Sequence, residues 1–310
     1  MSLATAAPAR VLHSIVEAIG RTPLVRLRLP GVPEGVALYG KCEWFNPGGS
    51  VKDRTALSLI SEGEKSGALR PGKTVIDSSS GNTAVGLALV GRAKGYPVEL
   101  VMPDSVAEER KKLCASYGAR IFFTDAFSGS DGALLRVREM VAADPERYFY
   151  ADQYRNPANP LAHYRTTGPE IWEQTEGRVT HFVAGLGTTG TIVGAGRALH
   201  ERNPGVRVAA VEPDEPLHGL EGLKHLSSAV VPEVWDPSVP DERLSVSTES
   251  ALAMCAEVMA TNGIFIGHSA GAAVWAAREV ARPLRSGVVV ALLCDGGERY
   301  LSTGSSPPPR

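Results

Sequence analysis

Asn46-Pro47-Gly48-Gly49-Ser50-Val51-Lys52-Asp53-Arg54 is the stretch around which the rest of the chain is organised. Asn-Pro-Gly-Gly predicts a tight turn, and Ser50 is a suitable N-cap for an amphipathic helix over residues 52–65. Lys52 then falls in the first helical turn, where the partial positive charge of the helix start disfavours a second cation. The same field favours the neutral amine, which is the form that makes a Schiff base with an aldehyde. The alternative is a solvated surface lysine whose charge is offset by Asp53.

Length and composition limit the classes of protein to consider. At 310 residues the chain is near the upper limit for one core, so we expect two α/β domains with a cleft between them. With 32 basic and 34 acidic residues and 6% aromatic residues, the composition predicts neither a nucleic-acid groove nor a surface for anionic membranes. The first ten residues lack the pattern of a secretory signal, and the longest apolar runs have the length of strands.

The cysteines are four in number and far apart, without a C-x-x-C pair. This spacing argues against disulfides and against a zinc or other metal site, and it favours a reducing cytoplasm. The four are Cys42, Cys114, Cys255 and Cys294.

Strand and helix patterns alternate through most of the chain. The predicted strands cover residues 36–41, 74–77, 98–102, 120–123, 181–184, 207–212 and 287–293. The predicted helices cover residues 11–19, 52–65, 83–94, 107–117, 129–143, 163–175, 192–201, 248–262 and 271–281. This alternation predicts an α/β fold with a mostly parallel sheet and with ligands at the carboxyl ends of the strands. A polar, proline-rich segment at 152–160 is the predicted domain crossover, and residues 304–310 are predicted to be a disordered tail.

A glycine- and threonine-rich segment, Gly185-Leu186-Gly187-Thr188-Thr189-Gly190-Thr191, lies between a predicted strand and a predicted helix. Glycines let successive N–H groups and the helix N-terminus point at one anion, and the threonine hydroxyls add donors. We interpret the segment as a phosphate site. A dinucleotide site is the rival, but the G-x-G-x-x-G spacing fails and the nearest acidic residue after the next strand, Glu212, is a little far. A glycine-rich structural turn is the other alternative.

Two further segments place hydroxyl and amide groups at helix starts. Ser78-Ser79-Ser80-Gly81-Asn82-Thr83 follows a predicted strand and offers hydroxyls, N–H groups and a helix dipole to a carboxylate, unless the serines only cap the helix. Gly267-His268-Ser269-Ala270-Gly271 offers one hydroxyl at which a planar heterocycle could end.

These four motifs, in this order and spacing, resemble the cysteine synthase and cystathionine β-synthase family of fold-type II pyridoxal-phosphate enzymes. The match runs from about residue 19 to residue 300. It implies a tryptophan synthase β-like fold of two twisted, mostly parallel sheets flanked by helices, with the active site in the cleft between them. The smaller, mobile domain would be residues 38–155 and carry the substrate-carboxylate loop. The larger domain would be residues 1–37 and 156–310 and carry the phosphate loop.

The resemblance also implies roles for individual residues. Lys52 would be the catalytic residue and would bind the aldehyde of pyridoxal 5′-phosphate. The remaining cofactor-binding residues would be Asn82 at the ring 3′-oxygen, Ser269 at the ring nitrogen, and Gly187, Thr188, Thr189, Gly190 and Thr191 at the phosphate. The substrate carboxylate would be bound by Ser79, Ser80, Gly81, Thr83 and Gln153.

Several segments, including residues 153–159, 163–170 and 295–304, are similar to the cysteine synthase B branch of that family. Some members of this branch use O-phosphoserine and have a basic residue where this chain has Lys224. A phosphate dianion needs such a partner, whereas an acetyl group does not. Those members typically have arginine there, so Lys224 keeps the charge and loses the bidentate fork. A surface lysine in a mobile loop is the alternative.

The resemblance therefore implies a transferase, a cysteine synthase that uses O-acetylserine or O-phosphoserine. It would form L-cysteine by pyridoxal-phosphate-dependent β-replacement through an aminoacrylate intermediate. The expected partners are an amino-acid substrate, a sulfur donor (a sulfur-carrier protein among the candidates) and a second copy in a homodimer, in the cytoplasm, without nucleic acid or membrane. One alternative is cystathionine β-synthase, which acts on serine and homocysteine. The other is a non-catalytic binding or regulatory relative, against which the intact motifs argue.

Overall fold

The structure, a computed structural model, describes residues 11–303. The predicted disordered tail at residues 304–310 lies outside the described residues, as do the first ten residues. In the described part of the chain, no helix is both long enough and apolar enough to cross a bilayer.

Ten strands and nine α-helices are formed within residues 11–303. The strands are β1 Leu24–Arg26, β2 Val36–Cys42, β3 Thr74–Ser78, β4 Val98–Pro103, β5 Arg120–Thr124, β6 Tyr148–Tyr150, β7 His181–Gly185, β8 Arg207–Pro213, β9 Glu242–Val246 and β10 Gly287–Leu293. The helices are α1 Lys52–Ser66, α2 Asn82–Lys94, α3 Glu108–Ser116, α4 Gly129–Ala143, α5 Ala158–Arg165, α6 Thr167–Gln174, α7 Gly190–Arg202, α8 Thr248–Asn262 and α9 His268–Ala281.

The strands form two sheets. The larger has the order β1-β2-β10-β7-β8-β9 and the smaller the order β5-β4-β3-β6. Every pair is parallel except β1 with β2. The predicted α/β architecture of two mostly parallel sheets flanked by helices is confirmed.

Both faces of each sheet are covered by helices. Along β10, Val289 and Ala291 pack with residues of α8 and α9, whereas Val290 and Leu292 pack with residues of α6 and α7. This alternation is the period of two expected of a strand buried on both sides. In the smaller sheet, alternate side chains of β4 likewise pack against α1 and α2 on one face and against α4 on the other.

Several predicted elements have different bounds in the structure. The predicted helix over residues 11–19 is only the short 3₁₀ helix Ile15–Ala18, which buries none of its residues. The predicted helix over residues 163–175 is two helices, α5 and α6, and α5 begins inside the proline-rich segment. Strands β6 and β9 were not among the predicted strands.

The predicted domain boundary at residue 38 falls inside β2, which belongs to the larger sheet. The four strands of the smaller sheet all lie within residues 74–150. The division into a mobile smaller domain and a larger domain stays a prediction. Because parallel strands end at one edge, the loops after β3 and β7 each emerge at the carboxyl edge of their sheet.

Candidate active site

Lys52 opens α1 at the end of a turn that leaves the larger sheet. Gly49 has a φ of +78°, which glycine adopts without strain, and its N–H donates to the Asn46 carbonyl at 2.8 Å. The helix N-cap is Val51 rather than the predicted Ser50. The Ser50 hydroxyl nevertheless accepts a hydrogen bond from the Lys52 N–H at 3.2 Å, so it satisfies one of the free N–H groups of the helix start.

The two residues that follow β10 join the starts of three helices. The Val51 N–H, just before α1, donates to the Cys294 carbonyl at 2.9 Å. Asn82 Nδ2, at the start of α2, donates to the fully buried Asp295 at 2.6 Å. The Ser269 hydroxyl, at the start of α9, lies within hydrogen-bond range of the Cys294 thiol. The helix starts predicted to carry the lysine, the ring-oxygen ligand and the ring-nitrogen ligand therefore meet around one short segment.

The glycine-rich turn predicted to hold a phosphate lies between β7 and α7. A Cβ atom on Gly187 would lie 2.2 Å from the Gly222 carbonyl oxygen, and one on Gly190 would lie 2.1 Å from Asn159 Oδ1, so neither position admits a side chain. Thr189 has a φ of +64°, which is strained for a β-branched residue. Its Oγ1 is buried and has no hydrogen-bond partner among residues 11–303. A strained threonine with an unpaired hydroxyl at a helix start is the arrangement expected of an anion site.

Two side chains of α5 connect this turn to α1. Asn159 Nδ2 donates to Thr188 Oγ1 at 3.1 Å, and its Oδ1 accepts from Thr55 Oγ1 at 3.3 Å. The Nε2 atom of His163 lies 3.3 Å from the hydroxyls of both Thr55 and Thr191. Because Thr55 is one helical turn beyond the first residue of α1, these bonds hold the lysine-bearing helix against the predicted phosphate site.

His163 is buried as a neutral ring. Burial lowers its pKa well below the usual value, and the charges of Arg54 and Lys52 lower the pKa further. Its Nδ1 lies 2.9 Å from the Thr167 hydroxyl, so hydroxyl groups lie within hydrogen-bond range of both ring nitrogens. His163 therefore organises the hydroxyls around the site without adding a positive charge.

The predicted carboxylate loop follows β3 and leads into α2. The Thr83 hydroxyl donates to Gln153 Oε1 at 2.7 Å, and both side chains are buried. The Ser79 hydroxyl accepts a 3.4 Å hydrogen bond from the Gly81 N–H, and Ser80 is half-buried. A Cβ atom on Gly81 would meet no atom within 4 Å among the described residues, so the loop faces open space that a ligand can enter. The structure thus brings Gln153 to the loop, as the sequence predicts.

Lys224 lies beside both loops. Its N–H donates to the Leu186 carbonyl at 2.7 Å, and its Nζ lies 5.1 Å from the centre of the Tyr154 ring. Burial lowers the pKa of Lys224, and the charge of Asp131 opposes that change. Because Tyr154 directly follows Gln153, the half-buried amine is next to the predicted carboxylate site.

Sequence reasoning gave no role to the groups that orient Asn82. Asp295, Arg299 and Tyr300 lie in segment 295–304, which the sequence shows only as similar to the cysteine synthase B branch. The Tyr300 hydroxyl donates to Asp295 at 2.7 Å, and Arg299 Nη1 donates to Asn82 Oδ1 at 2.8 Å. Burial raises the pKa of Asp295, whereas its hydrogen bonds with Tyr300 and Asn82 lower it. With an acceptor on its nitrogen and a donor on its oxygen, the Asn82 amide is fixed with one N–H left for a ligand.

Comparison with known proteins identifies the family. A family model described as pyridoxal-phosphate dependent enzyme matches residues 15–295. The chain belongs to this pyridoxal-phosphate dependent enzyme family. Its cofactor is accordingly pyridoxal phosphate, as the sequence predicts.

This pyridoxal-phosphate dependent enzyme is similar to the cysteine synthase of Aquifex aeolicus, with 51% identity over 298 residues that cover 94% of this chain and 91% of the relative. It is 42% identical over 295 residues to the cysteine synthase B of Salmonella typhimurium, covering 94% of this chain and 96% of the relative. A crystal structure of cysteine synthase from Entamoeba histolytica matches with a TM-score of 0.95 at 34% identity and covers 100% of this chain and 95% of that chain. The predicted family and its fold-type II architecture are confirmed.

The donors of the site fit this cofactor. The unpaired Thr189 hydroxyl and the crowded glycines suit its phosphate, the free N–H of Asn82 suits the ring oxygen, and the amine of Lys52 suits the aldehyde. Residues 11–303 contain no group of three or more histidine, cysteine or acidic side chains placed to hold a metal. The assignment of each residue to a part of the cofactor or substrate stays a prediction.

Proposed function

We propose that this enzyme forms L-cysteine by β-replacement, with O-acetylserine or O-phosphoserine as the amino-acid substrate and a reduced sulfur compound as the second substrate. The observation that supports the proposal most is the junction of α1 with the glycine-rich turn through Asn159 and His163. This junction holds an amine-bearing helix start against the glycine-rich turn, to which we assign the cofactor phosphate. The 51% identity to a protein named cysteine synthase supports the choice of reaction.

The residues have separate tasks in this proposal. Bound pyridoxal phosphate supplies an electron sink for the substrate α-carbon. Lys52 holds the cofactor aldehyde and then takes the α-proton of the substrate at Nζ as a general base. Thr83 and Gln153, which are bonded to each other, hold the loop on which the substrate carboxylate rests. The threonines of the glycine-rich turn keep the phosphate fixed while the β-substituent leaves.

Lys224 selects the leaving group. Its amine lies on the Tyr154 ring next to the carboxylate loop, and among the described groups that act on the pKa of Lys224 the only charged one is Asp131. A cation there stabilises the departing phosphate of O-phosphoserine more than acetate, because phosphate carries the greater negative charge. We therefore infer that O-phosphoserine is the better of the two amino-acid substrates.

The assembly and the setting are also part of the proposal. The enzyme acts as a cytoplasmic homodimer, and its sulfur comes from a small sulfur compound or from a sulfur-carrier protein. The smaller domain, which carries the carboxylate loop, moves toward the larger one when substrate binds. These statements rest on the resemblance to the family and, for the cytoplasm, on the four widely separated cysteines.

The test compares two lysines of the same helix. Lys52→Ala should abolish both the yellow absorbance of bound pyridoxal phosphate and the formation of cysteine, because no other amine of the helix start can replace it. Lys65→Ala, at the exposed end of α1, should keep both. Cysteine release would be measured for both substrates with sulfide as the donor. Full turnover by Lys52→Ala would refute the role of this lysine, and turnover of serine with homocysteine but not with sulfide would refute the choice of reaction.

A further inference from the structure

A buried carboxyl group lies directly beneath the predicted carboxylate loop. Asp77 occupies the end of β3, one residue before the loop, and is fully buried. Its Oδ1 accepts a hydrogen bond from the Ser78 N–H at 2.7 Å, and the Gln153 N–H also stabilises its charged form. Its Oδ2 is buried without a hydrogen-bond partner among the described residues. One side chain therefore contacts both segments that are predicted to bind the substrate carboxylate.

The groups around Asp77 disfavour its charge. The pKa of Asp77 is raised to about 8, chiefly by burial and also by the nearby charge of Asp152, and the Ser78 and Gln153 N–H groups only partly oppose this. Asp152 is itself half-buried with an unpaired Oδ1. No cation acts on Asp77 directly among the described residues.

Titratable groups act on Asp77 or on its titratable neighbours from β6, from the segment after β6 and from α4. The β6 strand presents Tyr150, whose pKa is raised by burial and then by the charges of both aspartates. The segment after β6 adds Asp152 and Tyr154. The other charged groups act on Tyr150, Asp152 or Tyr154 and not on Asp77 itself. Those remaining charged groups are Asp131 and Arg138 of α4, and Arg155 and Glu233 outside it.

We propose that Asp77 is a positioning residue of the substrate-carboxylate site, and that its carboxyl group must be protonated for substrate to bind well. The inference rests on the proposed role of the loop. The neutral group accepts the Ser78 and Gln153 N–H bonds and holds both segments together. The ionised group would place a negative charge beneath a loop that has to receive another carboxylate, in a setting of low dielectric constant. Substrate affinity should therefore fall as pH rises through the range in which Asp77 loses its proton.

The test measures binding of L-alanine, which has the α-carboxylate of the substrate and no leaving group. Its dissociation constant would be measured at pH 7 and pH 9 from the absorbance change of the holoenzyme. The α-amino group of alanine also titrates in this range, but it does so equally for every variant. We compare the dissociation constant at pH 9 divided by that at pH 7. This ratio should be about tenfold larger in the wild type than in Asp77→Asn, because asparagine has the same shape and cannot ionise.

Glu99→Gln is the matched control. Glu99 is also buried in the smaller sheet, but it pairs with Arg147 and Tyr148 at the opposite end of its strand from the loop. This variant should keep the wild-type ratio. Equal ratios in Asp77→Asn and the wild type would overturn the proposal. Loss of cofactor absorbance or of cysteine formation in the wild type at pH 7 would instead overturn the proposed function.

A second measurement does not depend on the folding of the variant or on activity. In wild-type protein labelled with ¹³C at the aspartate carboxyl carbons, NMR should show a carboxyl group that titrates between pH 7 and pH 9, and that signal should be missing from Asp77→Asn. The ordinary aspartate titrates near pH 4, so such a signal is well separated. Its absence from the wild-type protein would overturn the proposal even if Asp77→Asn did not fold.

Discussion

The predicted phosphate site is tested most directly by Thr189→Val. Valine has the shape of threonine and the same branching at Cβ, so the strain of the left-handed backbone at φ +64° is the same in both proteins. The substitution removes only the Oγ1 hydroxyl, which is buried without a partner among the described residues. The apoenzyme therefore loses no hydrogen bond, and its free energy of unfolding should be unchanged or higher.

The holoenzyme should respond in the opposite way. A hydrogen bond to a charged group is worth about 1.5–3 kcal/mol, so the dissociation constant of pyridoxal phosphate should rise by about 10- to 150-fold. It would be measured by equilibrium dialysis of the apoenzyme, and stability by urea unfolding of the same preparation. The expected pattern is weaker cofactor binding together with an apoenzyme that is no less stable.

Thr175→Val supplies the reverse pattern. The Thr175 hydroxyl is buried and donates to the carbonyl oxygens of Ile171 and Trp172 at the end of α6, away from the glycine-rich turn. Its removal should lower the free energy of unfolding by about 1 kcal/mol and leave cofactor affinity as it is. Wild-type affinity in Thr189→Val, or an equal loss of affinity in both variants, would show that the Thr189 hydroxyl does not bind the phosphate.

Two further predictions concern charged groups. Lys224→Ala should raise KM for O-phosphoserine about tenfold more than KM for O-acetylserine, and Lys224→Arg should keep the wild-type preference for O-phosphoserine. Steady-state kinetics with both substrates would check this. An equal effect of Lys224→Ala on both KM values would show that Lys224 does not bind the phosphate. Arg54→Met should lower the free energy of unfolding by about 3–5 kcal/mol, because it leaves the carboxylates of Glu43 and Glu170 buried without their main cation. Urea unfolding would compare this variant with Arg136→Met, which removes the exposed ion pair of Arg136 with Glu139 and should lower the free energy of unfolding by at most about 0.5 kcal/mol. A similar loss of stability in both variants would refute the reasoning.

The spacing of apolar residues predicted most helices and strands, because it reflects which side chains are buried. Helix α4 has the predicted bounds, and β10 shows the continuous apolar run of a strand covered on both faces. Strand β9 was not predicted because it is an edge strand with mostly exposed side chains, which produce no apolar alternation. The three residues of β6 are too few to show a period.

The division of the predicted helix 163–175 has a local cause that can be read from the sequence. Pro169 cannot donate a hydrogen bond to the carbonyl of Arg165, and its ring would collide with that carbonyl in a continuous helix. The chain breaks at Thr166 and starts α6 again, with the proline inside the first turn, where it is tolerated. Pro160 occupies the same position in α5, so the end of the segment predicted as the domain crossover is helical.

The candidate site was predictable where its groups follow strands, and unpredictable where contact depends on the packing of distant elements. Helix starts after β3 and β7 show their donors directly in the sequence. The bond between Asn82 and Asp295 spans 213 residues, and the buried position of Asp77 depends on the pairing of β3 with β4 and β6. A single sequence contains no pattern that specifies such contacts.

The position of α1 decides which parts of the site can move relative to each other. Its apolar face packs in the smaller sheet's core, yet Arg54 pairs with Glu170 of α6, and the Ser58 hydroxyl donates to the Ala158 carbonyl of α5 at 2.7 Å. Because α5 also holds the glycine-rich turn, Lys52 is fixed to the predicted phosphate site by polar bonds on one side of its helix. We therefore expect any closing motion to carry Ser79 and Ser80 of the loop after β3 toward Lys52, while Asn82 at the start of α2 stays bonded to Asp295. Such an arrangement would keep the amine and the cofactor aligned during that motion.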